Sequence, residues 1–449
     1  MPKILEIVKA TKAELIRGNI DLEFSDICID TRKLKKGEIF LAIKGNRFDG
    51  HDFIKEAKDK GASALIVEKL PKIIPDITLL KVNDTVKALT DIAKYQRNKF
   101  PIPLIAITGS NGKTTTKEML AYLLSLKYKV LKNEGTQNNQ IGLSLTLLKL
   151  DKSYDIAVVE LGTNHFGEIG YLTEISSPQI GVVLNIGPAH LEFFKALDGV
   201  YNEKISLIKS LSFPFIGILN SDDPFLRDAL NNHIKDKFLI SFGIKHKADF
   251  QADNLKWERQ RVSFVINQNK FYLNTLGFFN VYNALAAITV CRLFGFSYRD
   301  LILRVKNFKF PSQRLEIKNI KGITFIDDTY NSNPVSLNEA LKVLGRLNIK
   351  GRKIAVIGDM LELGKNTDEF HYKASIHISR LCDIIIGVGK FFGKMDKTIS
   401  SFYLKGKLIF TCNTAKEAKD ILIKKVKPSK GDLILIKGSR LMYMEEVFK

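Results

Sequence analysis

The sequence is poor in several things that would have pointed elsewhere. It has four cysteines, Cys28, Cys291, Cys382 and Cys412, scattered over 449 residues with no Cys-x-x-Cys pair. That spacing argues against a zinc site or a disulfide framework and suits a reducing compartment, so the expected location is the cytoplasm. No apolar run approaches the ~20 residues that a membrane helix needs, and no membrane insertion is expected. The opening stretch, MPKILEIVKATKAELIRG, mixes charged and apolar residues at helical spacing. It lacks a basic-then-apolar leader with a small-residue cleavage site and reads as folded structure. Internal repeats, low-complexity tracts, zinc-finger spacings and a basic tail are all missing.

Acidic residues are scarce too. Against 69 Lys and Arg stand 48 Asp and Glu, a formal net charge of +21. A clustered excess would suit nucleic acid, because Lys and Arg neutralise phosphates. Here the basic residues are spread along the whole chain. Biased composition accounts for them, and the partner they suit best is an anionic small molecule such as a nucleotide. No nucleic-acid partner is expected.

What is present is ordinary globular material, 45% hydrophobic and 26% charged. At roughly 100–200 residues per domain the length suggests about three domains. Strand-like and helix-like patterns alternate, which reads as α/β. Three blocks follow. Residues 1–100 form a mixed α/β unit with strand-like EIFLAIK and ALIVEK, and a helix from Asp84, a capping residue, to Phe100. Pro101 and Pro103 then punctuate the chain. Residues 101–310 open on LIAIT, a buried parallel strand by its composition, and continue with DIAVVELG, IGVVLNIG and FIGILNSDD. Residues 311–449 alternate GITFIDD, KIAVIGDM, CDIIIGVG, KLIFT and DLILIKGS with helical segments, a doubly wound, Rossmann-like pattern. The first of these strands does not lead into G-x-G-x-x-G, so no dinucleotide site is indicated.

The chemistry concentrates after LIAIT. Thr108-Gly109-Ser110-Asn111-Gly112-Lys113-Thr114-Thr115 lies between a predicted strand and a predicted helix, the context of a phosphate-binding loop. Glycines let backbone N–H groups approach phosphates, and the helix N-terminus favours negative charge. Lys113 supplies a mobile positive charge, and Thr114 a hydroxyl for Mg2+. The spacing departs from G-x-x-x-x-G-K-[ST], because Ile107 stands where the first glycine would be.

This T-G-S-N-G-K-T-T string resembles the Mur ligase family, and the resemblance runs in order through nearly the whole chain. It implies a three-domain, ATP-dependent amide ligase that builds cell-wall precursors. Thr116-Lys117 after the loop, and the lack of a D-N-P-R string, imply the branch that adds D-alanyl-D-alanine. The implied substrates are ATP, UDP-N-acetylmuramoyl-tripeptide and D-alanyl-D-alanine, with Mg2+ as cofactor and a monomer as the working unit.

The resemblance also implies roles for single residues. Thr31, Arg32 and the loop from Asn46 to His51 would hold the UDP-sugar end. Asn138 and Asn139, within GTQNNQIG, would lie beside the γ-phosphate. Glu160 and His190 would hold Mg2+, as would Lys204 if carbamylated. Asn283 would contact adenine; Asn280 equally suits a helix cap. In the third block Arg314 would reach the phosphates and Asp328 the ribose. Tyr330, Asn331 and Asn333 would line the cleft, and Ser439 and Arg440 would take the dipeptide carboxylate. IGDMLELG and LIKGSRLMYMEEV match the same branch. Two positions depart from the family pattern: Phe279 replaces a histidine, and Gln313 replaces a glycine. Because ATP ligands come from two blocks, domain closure is expected to assemble the site. Two alternatives stay open: another ligase of the family or of the folylpolyglutamate type, and a P-loop ATPase acting on nucleic acid.

Overall fold

The apolar runs become buried strands. LIAIT and IAVVE are buried at every position. The computed structural model describes residues 3–212, 215–232, 238–258, 261–398, 403 and 405–448. Met1 and Pro2, which open the N-terminal stretch, lie outside them. That stretch is only partly helical. The helix Ile4–Thr11 ends at Lys12, whose φ is 56°, and the remainder is a strand.

The first unit holds five strands: β1 (Glu14–Arg17), β2 (Ile27–Cys28), β3 (Ile39–Leu41), β4 (Ala64–Val67) and β5 (Thr78–Lys81). Their order is β1-β5-β4-β3-β2, and β1 is the antiparallel member. The expected helix is Thr85–Lys99, with the Asp84 carboxylate accepting from the Lys87 N–H.

The second unit is built on β6 (Leu104–Thr108), β7 (Val130–Lys132), β8 (Ile156–Glu160), β9 (Ile180–Val183), β10 (Ile216–Asn220), β11 (Phe238–Gly243) and β12 (Phe250–Gln251). They form one parallel sheet in the order β12-β11-β10-β9-β6-β8-β7. The winding reverses at β6, with β8 on one side and β9 on the other. A parallel sheet opens a crevice at such a switch point, beyond the carboxyl ends of the strands. Apolar side chains cover both faces. An antiparallel sheet of β13 (Asp253–Glu258), β14 (Arg261–Ile266) and β15 (Asn269–Leu273) packs its Phe264 and Phe271 into the same core as the Phe279–Leu293 helix.

The third unit has β16 (Glu316–Ile320), β17 (Ile323–Asp328), β18 (Lys353–Gly358), β19 (Ile384–Val388), β20 (Leu408–Cys412) and β21 (Leu433–Lys437). The order is β16-β17-β21-β18-β19-β20, parallel except for the edge strand β16. All five strands expected in this block are present.

Arg97 joins the first unit to the second. It is 2% exposed and caps carbonyls instead of pairing with a carboxylate. Nε donates to Ser176 O (2.9 Å), Nη1 to Phe100 O (2.6 Å), and Nη2 to Ser177 O (3.2 Å) and Gln179 Oε1 (3.3 Å). Burial pulls its pKa down to about 10, so it stays charged at neutral pH. Arg97→Met leaves these acceptors without a donor. At about 1–3 kcal/mol per unsatisfied buried group, the urea midpoint should fall clearly. An unchanged midpoint would mean that water replaces the guanidinium.

Candidate active site

The loop after β6 needs its glycines. Gly112 has φ +87°, and a Cβ there would lie 2.2 Å from Asn283 Oδ1. Gly109 has φ +152°, and its Cβ would lie 3.0 Å from Leu184 Cβ. The loop is tied to the segment after β9. Ser110 Oγ donates to Gly187 O (3.0 Å), and Asn111 N donates to Asn185 Oδ1 (2.9 Å). Thr108 Oγ1 donates to Leu161 O (3.0 Å), and Thr115 is buried. Lys113 opens the helix Lys113–Leu124, and its Nζ donates back to Gly109 O (2.8 Å). Burial lowers the Lys113 pKa; Glu160 opposes that shift and Arg314 adds to it.

Glu160 ends β8 with 1% exposure. A buried carboxylate needs partners, and it has two. Thr114 Oγ1 donates to Oε2 (2.8 Å), and Asn138 Nδ2 donates to Oε1 (2.7 Å). The Thr114 hydroxyl in turn accepts from Arg314 Nη2 (3.0 Å) of the third unit. The Arg314 guanidinium lies 4.1 Å over the Tyr330 ring. Asn333, which caps the helix Pro334–Arg346, donates to Asn111 Oδ1 (2.8 Å). These contacts close a cavity of about 950 Å³ between the second and third units, lined by Lys113, Thr114, Glu160, His190, Arg314 and Asp328 among others.

The remaining expected residues divide. Asn139 lines the cavity but caps the helix Gln140–Leu147, its Oδ1 accepting from Gly142 N (2.9 Å). Asn280 is not a cap. It lies inside the Phe279–Leu293 helix, donates to Thr275 Oγ1 (3.0 Å) and accepts from Asn283 Nδ2 (2.9 Å). Asn283 packs on Gly112 and accepts from Thr116 Oγ1 (3.3 Å). Asp328 is held by an ion pair to Lys437 and by the Leu315 N–H (3.1 Å). Burial still raises its pKa, against the pull of Lys437. Asn331 lines the cavity and its Oδ1 accepts from Arg440 N (3.2 Å).

Thr31, Arg32, Asn46, Ser439, Arg440 and Lys204 do not line this cavity. Arg32 is exposed and bidentate to Asp30 at 2.8 Å. Thr31 is buried, while Asn46 is exposed in its loop. The Ser439 hydroxyl is engaged by Leu361 N (2.9 Å) and Ser332 O (3.2 Å), and Arg440 pairs with Glu445 (3.0 Å). Asn133 and Lys437 escaped the sequence reading. Asn133 is fully buried; its Oδ1 accepts from Glu160 N (3.0 Å), and its Nδ2 donates to Glu160 O (3.1 Å). Only an asparagine at a strand end marks it in the sequence.

Oxygen donors suit Mg2+. Thr114 and Glu160 offer them side by side, whereas no three His, Cys, Asp or Glu side chains cluster among the described residues. Such a partial set fits a cation that takes its other ligands from phosphates and water. His190 has φ 54° and its Nδ1 is 2.6 Å from Glu362 Oε2. The hydrogen bond to His190 lowers the Glu362 pKa.

A glycine-bearing loop at a switch point, covered by an arginine from the next unit, defines an α/β architecture of linked units with a cleft suited to phosphates. Residues 23–100 match the Mur ligase family catalytic domain, 107–291 the Mur ligase middle domain, and 313–440 the Mur ligase glutamate ligase domain. The UDP-N-acetylmuramoyl-tripeptide–D-alanyl-D-alanine ligase of Bacillus subtilis is 33% identical, covering 97% of this chain and 96% of its own. The Escherichia coli ligase of the same name is 32% identical over 99% and 98%. Among solved structures, MurF from Acinetobacter baumannii superposes with a TM-score of 0.89 at 32% identity, covering 99% of this chain and 97% of that one. MurF from Thermotoga maritima in complex with ADP gives 0.82 at 30%, covering 95% and 97%. The chain belongs to the Mur ligase family.

Lys204 generates a prediction of its own. It is 2% exposed, with no hydrogen-bond or ion-pair partner among the described residues. Burial, then Lys113, push its pKa down to about 7, against Glu203 and Glu160. Above that value the folded chain holds the amine neutral, while the unfolded chain keeps it charged to about 10.4. The unfolded state therefore binds more protons in this window, and the penalty of burying Lys204 is full below pH 7 and fades as pH rises. In buffer free of carbon dioxide, Lys204→Met should raise the melting temperature, more at pH 6 than at pH 9. A gain that does not depend on pH would contradict this.

Proposed function

We propose that the chain is an ATP-dependent ligase that joins D-alanyl-D-alanine to UDP-N-acetylmuramoyl-tripeptide in peptidoglycan precursor synthesis. The observation that carries the reading is the Thr114 hydroxyl, shared between Glu160 of the phosphate-loop unit and Arg314 of the third unit. It supports a γ-phosphate site assembled from both sides of the cleft. The near-full-length likeness to ligases of that activity supports these substrates.

In this reading the tripeptide carboxylate attacks the γ-phosphorus of ATP, and ADP leaves. The D-alanyl-D-alanine amine then adds to the acyl phosphate carbonyl, a proton is lost, and phosphate departs. Positioning and charge neutralisation carry both steps. The phosphate loop, Ser110 to Thr115, cradles the phosphates, Lys113 and Arg314 neutralise the transferring group, and Asn138 braces Glu160. Mg2+, held by Thr114, Glu160 and His190, would add positive charge there. The half-neutral Lys204 amine suits carbamylation: nitrogen adds to carbon dioxide, a proton leaves, and a carboxylate-like ligand results. Asn283 stands at the adenine end, and Asp328 with Lys437 at the ribose end. Tyr330, Asn331 and Asn333 line the acceptor side. Thr31, Arg32 and Asn46 hold the UDP end from the first unit, and Ser439 and Arg440 guide the dipeptide carboxylate. The reading carries with it a cytoplasmic reaction on a monomer; no helix among the described residues is long and apolar enough to cross a membrane.

The test is phosphate release from ATP with UDP-N-acetylmuramoyl-tripeptide, with and without D-alanyl-D-alanine. Release should require the dipeptide; release indifferent to it refutes the assignment. Lys113→Ala should cut ligation by ~10³-fold while the chain still folds and melts cooperatively, since Lys113 serves the transferring charge rather than the core. Near-wild-type turnover in that variant would overturn its role.

A further inference from the structure

The segment Ile357–Gly364, IGDMLELG, has no part in the reaction as described, yet it touches the site. Its Glu362 reaches from the third unit to His190 of the second, with Oε2 2.6 Å from Nδ1. The backbones meet as well: Glu192 N donates to Glu362 O (3.0 Å). Both partners are non-glycine residues in the left-handed region, His190 at φ 54° and Glu362 at φ 61°. Such conformations cost free energy and persist where the surroundings enforce them, often at functional sites.

The third-unit side of the contact is well anchored. Leu361 N donates to Ser439 Oγ (2.9 Å), and Met360 N donates to His371 Nε2 (3.0 Å). The Asp359 carboxylate accepts from the N–H groups of Lys390 (2.6 Å) and Phe392 (2.8 Å). Gly364 has φ 62°, and a Cβ there would lie 3.1 Å from Glu192 Cα, so the segment sits tightly on the turn after His190. The two loops therefore meet through one side-chain and one backbone hydrogen bond. With Nδ1–H given to Glu362, the imidazole presents Nε2 as its free lone pair, and Nε2 has no partner among the described residues.

We propose that Glu362 is a positioning residue for His190: it fixes the tautomer and ring orientation that let Nε2 serve the divalent cation, and it does so only when the third unit is closed. The cation site is then completed by closure instead of being merely covered by it. A carboxylate behind a metal-binding histidine has this effect generally, and its loss typically costs 10–100-fold in metal affinity. The inference rests on the reading of His190 as a cation ligand.

The probe is Mn2+, whose free fraction is read by electron paramagnetic resonance with the full-length enzyme and saturating ADP. Glu362→Ala should weaken Mn2+ binding by ~10–100-fold, and Glu362→Gln, which keeps an acceptor for Nδ1–H, by less. UDP-N-acetylmuramoyl-tripeptide affinity should not move in either variant. In a His190→Ala background, Glu362→Ala should have no further effect on Mn2+. An unchanged Mn2+ affinity in Glu362→Ala, or an equal loss with and without His190, overturns the proposal. If Glu362→Ala does not fold, Glu362→Gln alone must show the His190-dependent loss, and its absence counts against the proposal. Failure of the ligase reading is separable, since it appears as acceptor-independent phosphate release by the unaltered enzyme.

Discussion

One hydroxyl organises the cleft. Thr114 Oγ1 gives its only proton to Glu160 and accepts from Arg314. A threonine hydroxyl has one donor, so the direction of each bond is forced once a carboxylate and a guanidinium flank it. Three elements meet at that atom: the first turn of the phosphate-loop helix, the end of β8 and the approach to β16. Glu160 is almost wholly buried, and an unpaired carboxylate there would be expensive. Thr114 and Asn138 settle the side chain while Asn133 grips the Glu160 backbone on both its N–H and C=O. Much of what surrounds the loop is explained by this need to satisfy one buried carboxylate and keep it aimed.

Charge at the cleft is finely divided, not one-sided. Lys113, Lys245, Arg314, Lys342, Arg346 and Lys437 line the cavity together with Glu160, Glu168, Asp222, Asp223, Asp328 and Glu339. The basic excess of the whole chain is therefore not gathered here. Steering of anionic substrates by net charge remains a long-range effect, while in the proposed reaction local neutralisation falls to individual groups such as Lys113 and Arg314. This separates two ideas that composition alone had merged.

The α/β class, the parallel strands of the second and third units and the phosphate loop were legible because each rests on short-range pattern. Buried parallel strands are continuous apolar runs, and the loop announces itself by glycines between a strand and a helix. The antiparallel sheet β13–β15 was missed. Its signal was present in RVSFVI and NKFYL flanking Asn267 and Gln268, whose φ values of 45° and 65° suit a tight hairpin turn. Asn133, Lys437 and Glu362 were not legible from pattern at all. Their partners stand 27, 109 and 172 positions away, and nothing local marks a side chain that acts across that separation. Asn280 is a different case: its partners, Thr275 and Asn283, are near in sequence, and its place looked like a cap only because the helix begins at Phe279, one residue earlier.

The two departures from the family pattern now have physical content. Gln313 occupies a left-handed backbone position, φ 60°, where glycine is the easier residue. Its conformation is held regardless: its N–H donates to Glu316 Oε2 (3.1 Å) and its carbonyl accepts from Tyr330 N (3.2 Å). The strain, about 1–2 kcal/mol for a residue with a Cβ, is spent on a turn that aims the next side chain, Arg314, at Thr114. The backbone path is thus kept although the glycine is gone. Phe279 differs in kind. Its ring lies against Gly277, where a Cβ would come within 2.4 Å, and it shares the cavity wall with Leu276, Phe278 and Tyr282. A histidine there could donate or accept a hydrogen bond, and a phenylalanine can only pack. Position 279 therefore contributes shape and apolar surface to this cleft, and any polar recognition at that end must come from its neighbours, among which Tyr282 already gives its hydroxyl to Asp222 (2.8 Å).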